Sequence, residues 1–539
     1  MRRPVATALV LLLAAASAAG VKLLGDTATR APLSNAGGSA AVFSGPVVYG
    51  IGPREESVAR ERKAQATTAP PVTALSGTSI ERRRALPCGR GRDIVNADHR
   101  DRIGAACEVV SVRVSRDNLS DPEAQHETQV EPDSFAYGAT IVTAFQIGRF
   151  MGGGALATGF ATSRDAGRTW RSGVLPRLSL HSRPPGPFDL VSDPSVAYDA
   201  VHGDWLIASL VAPDRGTALA ISRSRDGVTW NAPVLAAPPG VGDYDKEWIS
   251  CDNWPRSPYR GRCYLSYVNF GSGALETRRS NDGGKTWSAP ALSLSGLPGG
   301  SNLNGAFPIS RPDGTLLVFY TVFNGFLVGM NEIAVASSDN GGLTFQNSRV
   351  SNLMSLDLDG VRAPPFVSAA QDARGVVYAA WSDCRFQEDC TTNGIVYSRS
   401  RDGVAWSTPA RVATGDGRGG VDHFLPGLDV LGSGPKARVA ITYYSRPQPI
   451  GCGYTCSANV DVWLSESATA GRTWLKPQRL NKERMKGSWI ADSNLGKFLG
   501  DYLSTSYVRG RPMAVFALAQ RPAGGRLRQA TYVTTRITR

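Results

Sequence analysis

The chain has 539 residues, 42% of them hydrophobic and 19% charged, with 59 Lys+Arg against 46 Asp+Glu and a formal net charge of +13. That length can bury far more than one small core, and 8% aromatic residues exclude wholesale disorder. The 59 Gly and 34 Pro point to many turns and few long helices.

Residues 1–20 open with Arg2 and Arg3, run through an apolar stretch from Val5 to Ala16 and reach small residues at Ala16, Ser17 and Ala18. This is the pattern of a secretory signal peptide. The run is too short to span a bilayer, and no later segment offers about 18 uninterrupted apolar residues. A secreted protein without a transmembrane segment is expected, extracellular or cell-wall associated. Residues 21–105 are rich in Ala, Gly, Ser, Thr, Pro and Arg without strand or helix periodicity, and read as a flexible basic pro-region or linker. The leader carries +2 and this segment +5, leaving +6 beyond residue 105, so the body has no nucleic-acid footprint. The Arg82-Arg83-Arg84 run either meets an anionic cell-envelope polymer or is a solvated tail.

Eight Cys fall as sequence neighbours: Cys88 and Cys107, Cys251 and Cys263, Cys384 and Cys390, Cys452 and Cys456. In an oxidising compartment the economical reading is four local disulfides, with free buried thiols as the alternative. There is no CxxC, and the five His form no paired spacing, which speaks against a transition-metal site.

Beyond residue 105 a repeat dominates. Ser163-Arg-Asp-Ala-Gly-Arg-Thr-Trp170 returns as Ser280-Asn-Asp-Gly-Gly-Lys-Thr-Trp287, as Ser338-Asp-Asn-Gly-Gly-Leu-Thr-Phe345 and, with Thr in place of Asp, as Ser467-Ala-Thr-Ala-Gly-Arg-Thr-Trp474. Two copies are one residue shorter: Ser224-Arg-Asp-Gly-Val-Thr-Trp230 and Ser400-Arg-Asp-Gly-Val-Ala-Trp406. The six copies end at 170, 230, 287, 345, 406 and 474. In such a box the short Asp or Asn side chain bonds the turn's own N–H groups, Gly supplies positive φ and the aromatic plugs the gap between sheets. Asp165, Asp226, Asp282 and Asp402 are therefore read as fold-builders.

Three strands precede each box, as at 195–199, 204–212 and 217–223, or at 366–371, 376–383 and 394–400. A fourth follows, as at 232–237. Four-stranded antiparallel sheets at a fixed period make an all-β propeller. Three further strands (502–508, 513–520 and 529–536) lie beyond the last box, and a strand at 107–114 precedes the first. The simplest closure has this N-terminal strand complete the last sheet, giving seven blades over residues 106–539; the alternative is six blades with an appended C-terminal hairpin.

The repeated box Ser-x-Asp-x-Gly-x-Thr-Trp resembles the Asp-box repeats of the sialidase (neuraminidase) superfamily, over roughly residues 106 to 539. The resemblance implies a propeller fold; for activity it is weakly specific, because Asp-box propellers include other glycosidases, receptor domains and assembly factors. Sialidases use an arginine triad, one Arg in an Arg-Ile-Pro motif, with a Tyr nucleophile assisted by Glu and an Asp acid/base. This chain has no Arg-Ile-Pro; the nearest analogue is Phe307-Pro308-Ile309-Ser310, without the arginine.

Each box joins a third strand to a fourth, which fixes one face. The loops entering first strands and those joining second to third strands lie on the opposite face, where sialidase-like proteins place their ligand. That face receives Glu131, Asp133, Asp193, Asp243, Asp245, Lys246, Glu247, Asn302, Asn304, Arg362, Asp422, His423, Asp501 and Tyr502, together with Arg149, Asp383, Arg385 and Arg446. Asp243, Asp245 and Glu247 alternate, so an extended backbone points all three carboxylates one way, toward a Ca²⁺ ion or a general acid/base, or into solvent as an acidic loop. No cofactor is otherwise required. Catalytic candidates are Asp245, Glu247, Asp383 and Tyr502. Arg149, Arg362, Arg385 and Arg446 are suited to clamp a carboxylate, with Asp193, Asp422, His423 and Asp501 as further substrate contacts. Two functions remain open at this point: a glycosidase acting on a sialic or uronic acid glycan, and a non-catalytic propeller that binds glycan or protein. A monomer is expected in either case.

Overall fold

The computed structural model describes residues 73–75, 107–213, 216–239, 243–295, 301–324, 331–415, 420–447 and 459–538. The leader, most of the basic segment, Cys88, Cys452 and Cys456 lie outside the described residues. Among the described residues the chain is almost all β, its helical pieces being three-residue 3-10 turns such as Glu388–Cys390 and Gly487–Trp489. Thr73–Leu75, inside the segment read as linker, pairs with residues 170–172; three residues are too few to show a period in sequence.

The first unit shows how the repeat is built. Gln125–Tyr137, Thr140–Arg149, Ala155–Ser163 and Trp170–Val174 pair antiparallel in chain order, and the same four-strand order recurs in the following units. The first strands are Leu190–Asp199, Tyr244–Cys251, Ser301–Ser310, Ser368–Gln371, Val421–Leu431 and, in the last unit, Ser504–Val508. In that last unit Arg511–Ala523 and Arg526–Thr538 follow, and Cys107–Arg113 pairs with Arg526–Thr538 over its whole length as the fourth strand. Each first strand packs against the next, and Ser504–Val508 packs against Gln125–Tyr137.

Apolar clusters fill the gaps between neighbouring sheets. Trp230 packs on Phe160 of the preceding unit at 5.6 Å between ring centroids, Trp406 on Phe319 at 5.5 Å and Trp474 on Tyr397 at 5.9 Å. Trp170 lies in a cluster with Met513, Val515 and Val533 of the last unit, so the first and last units share a core. Burial of these aromatics together with the aliphatic side chains around them holds neighbouring units together.

The boxes carry the expected local bonds. Asp165 Oδ1 accepts from the backbone N–H of Arg168 (3.0 Å) and Thr169 (2.9 Å), its Oδ2 accepts from Thr169 Oγ1 (2.7 Å), and Gly167 N donates to Ser163 Oγ (2.8 Å). Asp226, Asp282, Asp402 and Asn340 repeat this lock. Such bonding holds Asp226 and Asp282 near 2, below the usual carboxylate value, against the opposing effect of burial. Cys251–Cys263 and Cys384–Cys390 are disulfide-bonded; the first links facing residues of adjacent strands, the second closes the loop after Asp383.

Five of these first strands share one irregularity. The pairing register breaks around Glu131, Asp193, Lys246, Gly305 and Leu425, and these residues have φ of 52°, 46°, 52°, 82° and 52°. A bulge with a left-handed residue re-aims the side chain it carries, and four of the five have a Cβ that disfavours that conformation. Just beyond the bulge, side chains stitch one unit to the next: Val196 N donates to Asp133 Oδ2 (2.7 Å), Ile249 N to Ser195 Oγ (3.1 Å) and Tyr507 N to Asp429 Oδ2 (2.6 Å).

Candidate functional site

Three of the five bulge residues are charged, and they meet. Glu131 (1% exposed), Asp193 (6%) and Lys246 (4%) come from the first strands of the first three units and gather where those strands enter the sheets. Glu131 and Asp193 lie within hydrogen-bonding reach of each other. Gln146 donates to Glu131 and, at 2.9 Å, to Ser192 Oγ, which in turn donates to Asp193 Oδ1 at 2.9 Å. Asp501 joins from the last unit, its N–H donating to Glu131 Oε1 at 3.2 Å. Gly500 makes that approach possible: at φ 134°, a Cβ there would sit 2.8 Å from the Glu131 nitrogen.

Two arginines lie beside these carboxylates. Arg362, between the fourth and fifth units, pairs with Asp501 through Nε–Oδ1 at 2.8 Å and a second, parallel bond. Arg149 ends the second strand of the first unit and contacts Gln146 Oε1 at 3.4 Å. Both guanidiniums lie over the ring of Phe498, at 3.7 and 4.9 Å from its centroid. Phe498 belongs to a short hairpin, Ala491–Ser493 with Gly496–Phe498, held by Gln125 and Gln529. Arg149 Nε and Nη2 and Arg362 Nη1 are buried without a partner among the described residues. Buried guanidinium donors left open suit an incoming anion.

Burial and mutual repulsion spread the acidities apart. Glu131 is pushed well above the usual carboxyl range by burial and then by the Asp193 charge. Burial also pushes Asp193 up, but Lys246, the Glu131 hydrogen bond, Ser192 and Arg362 outweigh it and hold Asp193 below its ordinary value. Within the pair Glu131 is thus the weaker acid and Asp193 the stronger. Asp245, held by Asn304 Nδ2 at 3.2 Å, is raised to about 7 by burial and Asp193. Arg149 is lowered to about 10 by burial and by Arg362.

The expected alternation of Asp243, Asp245 and Glu247 is overturned. The bulge at Lys246 comes between Asp245 and Glu247 and breaks it there; Asp243, ahead of the bulge, is exposed, while Glu247 is fully buried with neither carboxylate oxygen partnered among the described residues. No group of three or more His, Cys, Asp or Glu among the described residues is arranged to hold a metal ion. Burial raises Glu247 well above the usual range, followed by the Asp193 charge.

Tyr502 is buried, and its hydroxyl donates to Pro194 O at 2.9 Å. Asp383 accepts from Arg385 Nε (2.8 Å), Arg385 Nη2 (2.7 Å), Trp381 Nε1 (3.0 Å), Met354 N (3.2 Å) and Arg385 N (2.9 Å). With its lone pairs so occupied, Asp383 braces the disulfide loop. Asp422 accepts from Asn393 N (2.9 Å) and Arg446 Nη2 (3.2 Å), while His423 N donates to Asn393 O at 2.8 Å. The bonds named for these two groups are all local. The structure thus brings Arg149, Asp193, Asp245, Glu247, Arg362, Asp501 and Tyr502 together, and ties Asp383, Arg385, Asp422, His423 and Arg446 into loop braces of their own.

Sequence reasoning placed Glu131 and Lys246 on this face without singling them out, and passed over Gln146 and Phe498. A signal did exist for Glu131: Glu131-Pro132 and Asp193-Pro194 stand at the same place in successive first strands. Nothing in the sequence marked Phe498.

No family model matches the chain, and no curated protein does. Similar solved structures include a protein of unknown function from Dyadobacter fermentans (16% identity, 65% of this chain and 95% of that one, TM-score 0.42). Another is an α-L-arabinofuranosidase of Fusarium graminearum complexed with arabinobiose (14%, 65% and 93%, TM-score 0.38). A third is the phage phi92 endosialidase (12%, 80% and 69%, TM-score 0.45).

Proposed function

We propose that the chain is an exported glycoside hydrolase on a seven-bladed propeller closed by Cys107–Arg113, acting on a glycan that carries a carboxylate such as a sialic or uronic acid. One observation carries this reading: a buried carboxyl pair within hydrogen-bonding reach, Glu131 and Asp193, with acidities pushed apart, beside two arginines with buried donors left unpartnered among the described residues. Glycoside cleavage needs an acid for the leaving oxygen and a second carboxylate for the water or the sugar. Glu131 is the acid: its O–H proton passes to the leaving oxygen as the glycosidic bond breaks, the proton that Asp245 takes from the attacking water returns to Glu131 once the products leave, and the Asp193 charge keeps Glu131 a weak acid. Asp245, poised near 7, takes the proton of the attacking water. Arg149 and Arg362 grip the substrate carboxylate, and Phe498 keeps their planes fixed. The leader sequence and the two disulfides support export.

Tyr502 does not act as nucleophile in this scheme, because its hydroxyl is turned to Pro194 O. A fluorogenic sialoside and uronide panel on the purified protein tests the reading. Turnover abolished in Glu131→Gln supports it. Absence of turnover, with glycan binding that is lost in Arg362→Ala, replaces the enzyme with a binding propeller.

A further inference from the structure

Arg362 stands on no sheet. Residues 353–367 run from Gln346–Asn352, the fourth strand of the fourth unit, to Ser368–Gln371, and form no strand of their own. A connection of that length is ordinarily mobile, and a guanidinium on it would have to be ordered anew with each ligand. Groups of the fifth and sixth units hold this one down at three points. Asp383 Oδ2 accepts from Met354 N at 3.2 Å, while Cys384 N donates to Met354 O at 2.6 Å. Asn393 clamps both backbone groups of Leu356: its Oδ1 accepts from Leu356 N at 2.9 Å and its Nδ2 donates to Leu356 O at 2.7 Å. Arg446 Nη1 donates to Asp359 O. Past these points the connection docks on the hairpin that carries Phe498, where Lys497 N donates to Gly360 O at 2.9 Å and Arg362 N to Lys497 O at 3.0 Å. Gly496 permits that approach, since a Cβ on it would lie 2.7 Å from the Gly360 carbonyl carbon.

Two of the three holds have one root. Buried Asp422 accepts from Asn393 N through Oδ1 at 2.9 Å and from Arg446 Nη2 through Oδ2 at 3.2 Å, so one carboxylate sets both side chains. We propose that Asn393 and Arg446 are positioning residues that make the 353–367 connection a strap, and thereby set the Arg362 guanidinium over Phe498, in place to receive an anionic ligand. The inference deepens the glycosidase reading and rests on it only for the effect on substrate. Asn393 and Arg446 act through the strap's backbone. With Leu356 and Asp359 fixed, only a short span leads to Arg362, so its bonds to the hairpin form against little chain entropy. With a clamp removed the free span lengthens, those bonds open more often, and the arginine is left to its Asp501 pair and the Phe498 ring.

The test is amide hydrogen exchange of the full chain, read by mass spectrometry with fragmentation to single residues. The probes are the amides of Arg362 and Lys497, whose bonds join strap to hairpin and involve neither Asn393 nor Arg446. In Asn393→Ala both should exchange about tenfold faster than in the parent, while amides of Val377–Asp383 keep their parental rates. Arg446→Gln, which loses the hold on Asp359, serves the same purpose if the alanine variant does not fold. Parental exchange at Arg362 and Lys497 in a folded variant overturns the proposal, and so does an equal quickening in Val377–Asp383, which would mark a general loosening. The measurement needs no substrate, so failure to find turnover would strike the glycosidase reading and leave this one standing. Where turnover is found, Asn393→Ala should raise KM about tenfold with kcat little changed, because the grip acts on a part of the substrate away from the scissile bond. A fall in kcat at parental KM would overturn the proposal as well.

Discussion

Glu131 and Asp193 occupy the same bulge of successive first strands, both in the left-handed region and within hydrogen-bonding reach of each other, with Glu131 pushed up and Asp193 held down in pKa. Neither residue would be expected at positive φ without compensation, and this strained, buried pair of carboxyls is the arrangement on which the proposed hydrolase rests.

Glu131→Gln keeps the bulge and the hydrogen bond but removes the transferable proton. In the proposed hydrolase, kcat should fall by about 10²- to 10⁴-fold with little change in KM. The parent's pH profile should be a bell: activity is lost as pH falls through about 7, where Asp245 takes up a proton, and as it rises through the raised Glu131 value. Steady-state kinetics across pH check both statements; a Glu131→Gln variant with parental kcat would remove Glu131 from the chemistry.

Arg362→Lys replaces a two-bond grip on Asp501 and the stacking on Phe498 with a single ammonium. A loss of about 2 kcal/mol in substrate binding is expected, roughly 30-fold in KM or in glycan Kd. Phe498→Leu, which keeps the apolar bulk, should weaken binding less. Calorimetry with the panel's tightest glycan would compare the two.

The boxes offer a stability test in both directions. Asp282→Ala deletes acceptors for Lys285 N, Thr286 N and Thr286 Oγ1, and should destabilise by about 1 to 2 kcal/mol. In the sixth unit Thr469 Oγ1 accepts only from Thr473 N, at 2.8 Å, among the turn's N–H groups. Thr469→Asp should therefore raise Tm, and differential scanning calorimetry of the two variants should show shifts of opposite sign.

Stability should also fall as pH rises from about 4 to about 7. Asp133 and Asp245 are raised to about 7 and Asp429 to about 6, so over that window the folded state binds more protons than an unfolded chain titrating near 4. Asp226 and Asp282, lowered to about 2, act oppositely: their contribution is complete above about 4 and is lost as pH falls toward 2. Tm should therefore be higher at pH 5 than at pH 8. Asp133→Asn, which can still accept from Val196 N, should flatten the difference; an unchanged slope would mean that Asp133 is ionised throughout.

What the sequence determined by itself is whatever is closed over a few residues. Asp165 bonds N–H groups three and four residues away, so the box, its spacing and the strands it joins could be read directly, as could Cys251 with Cys263 and Cys384 with Cys390. The pairing of Cys107–Arg113 with Arg526–Thr538 was legible only because the last three strands lacked a fourth. The site was decided by tertiary structure. Alternation predicted that Asp243, Asp245 and Glu247 share a face, and one left-handed residue, Lys246, undid it, since a bulge reverses the face of whatever follows. Asp383 and Asp422 looked as available in sequence as Glu131 and Asp193; only the folded loops show that Arg385 and Arg446 already hold them. Charge type can be read along the chain, but burial and convergence, which set what a charge can do, arise where strands from separate units meet.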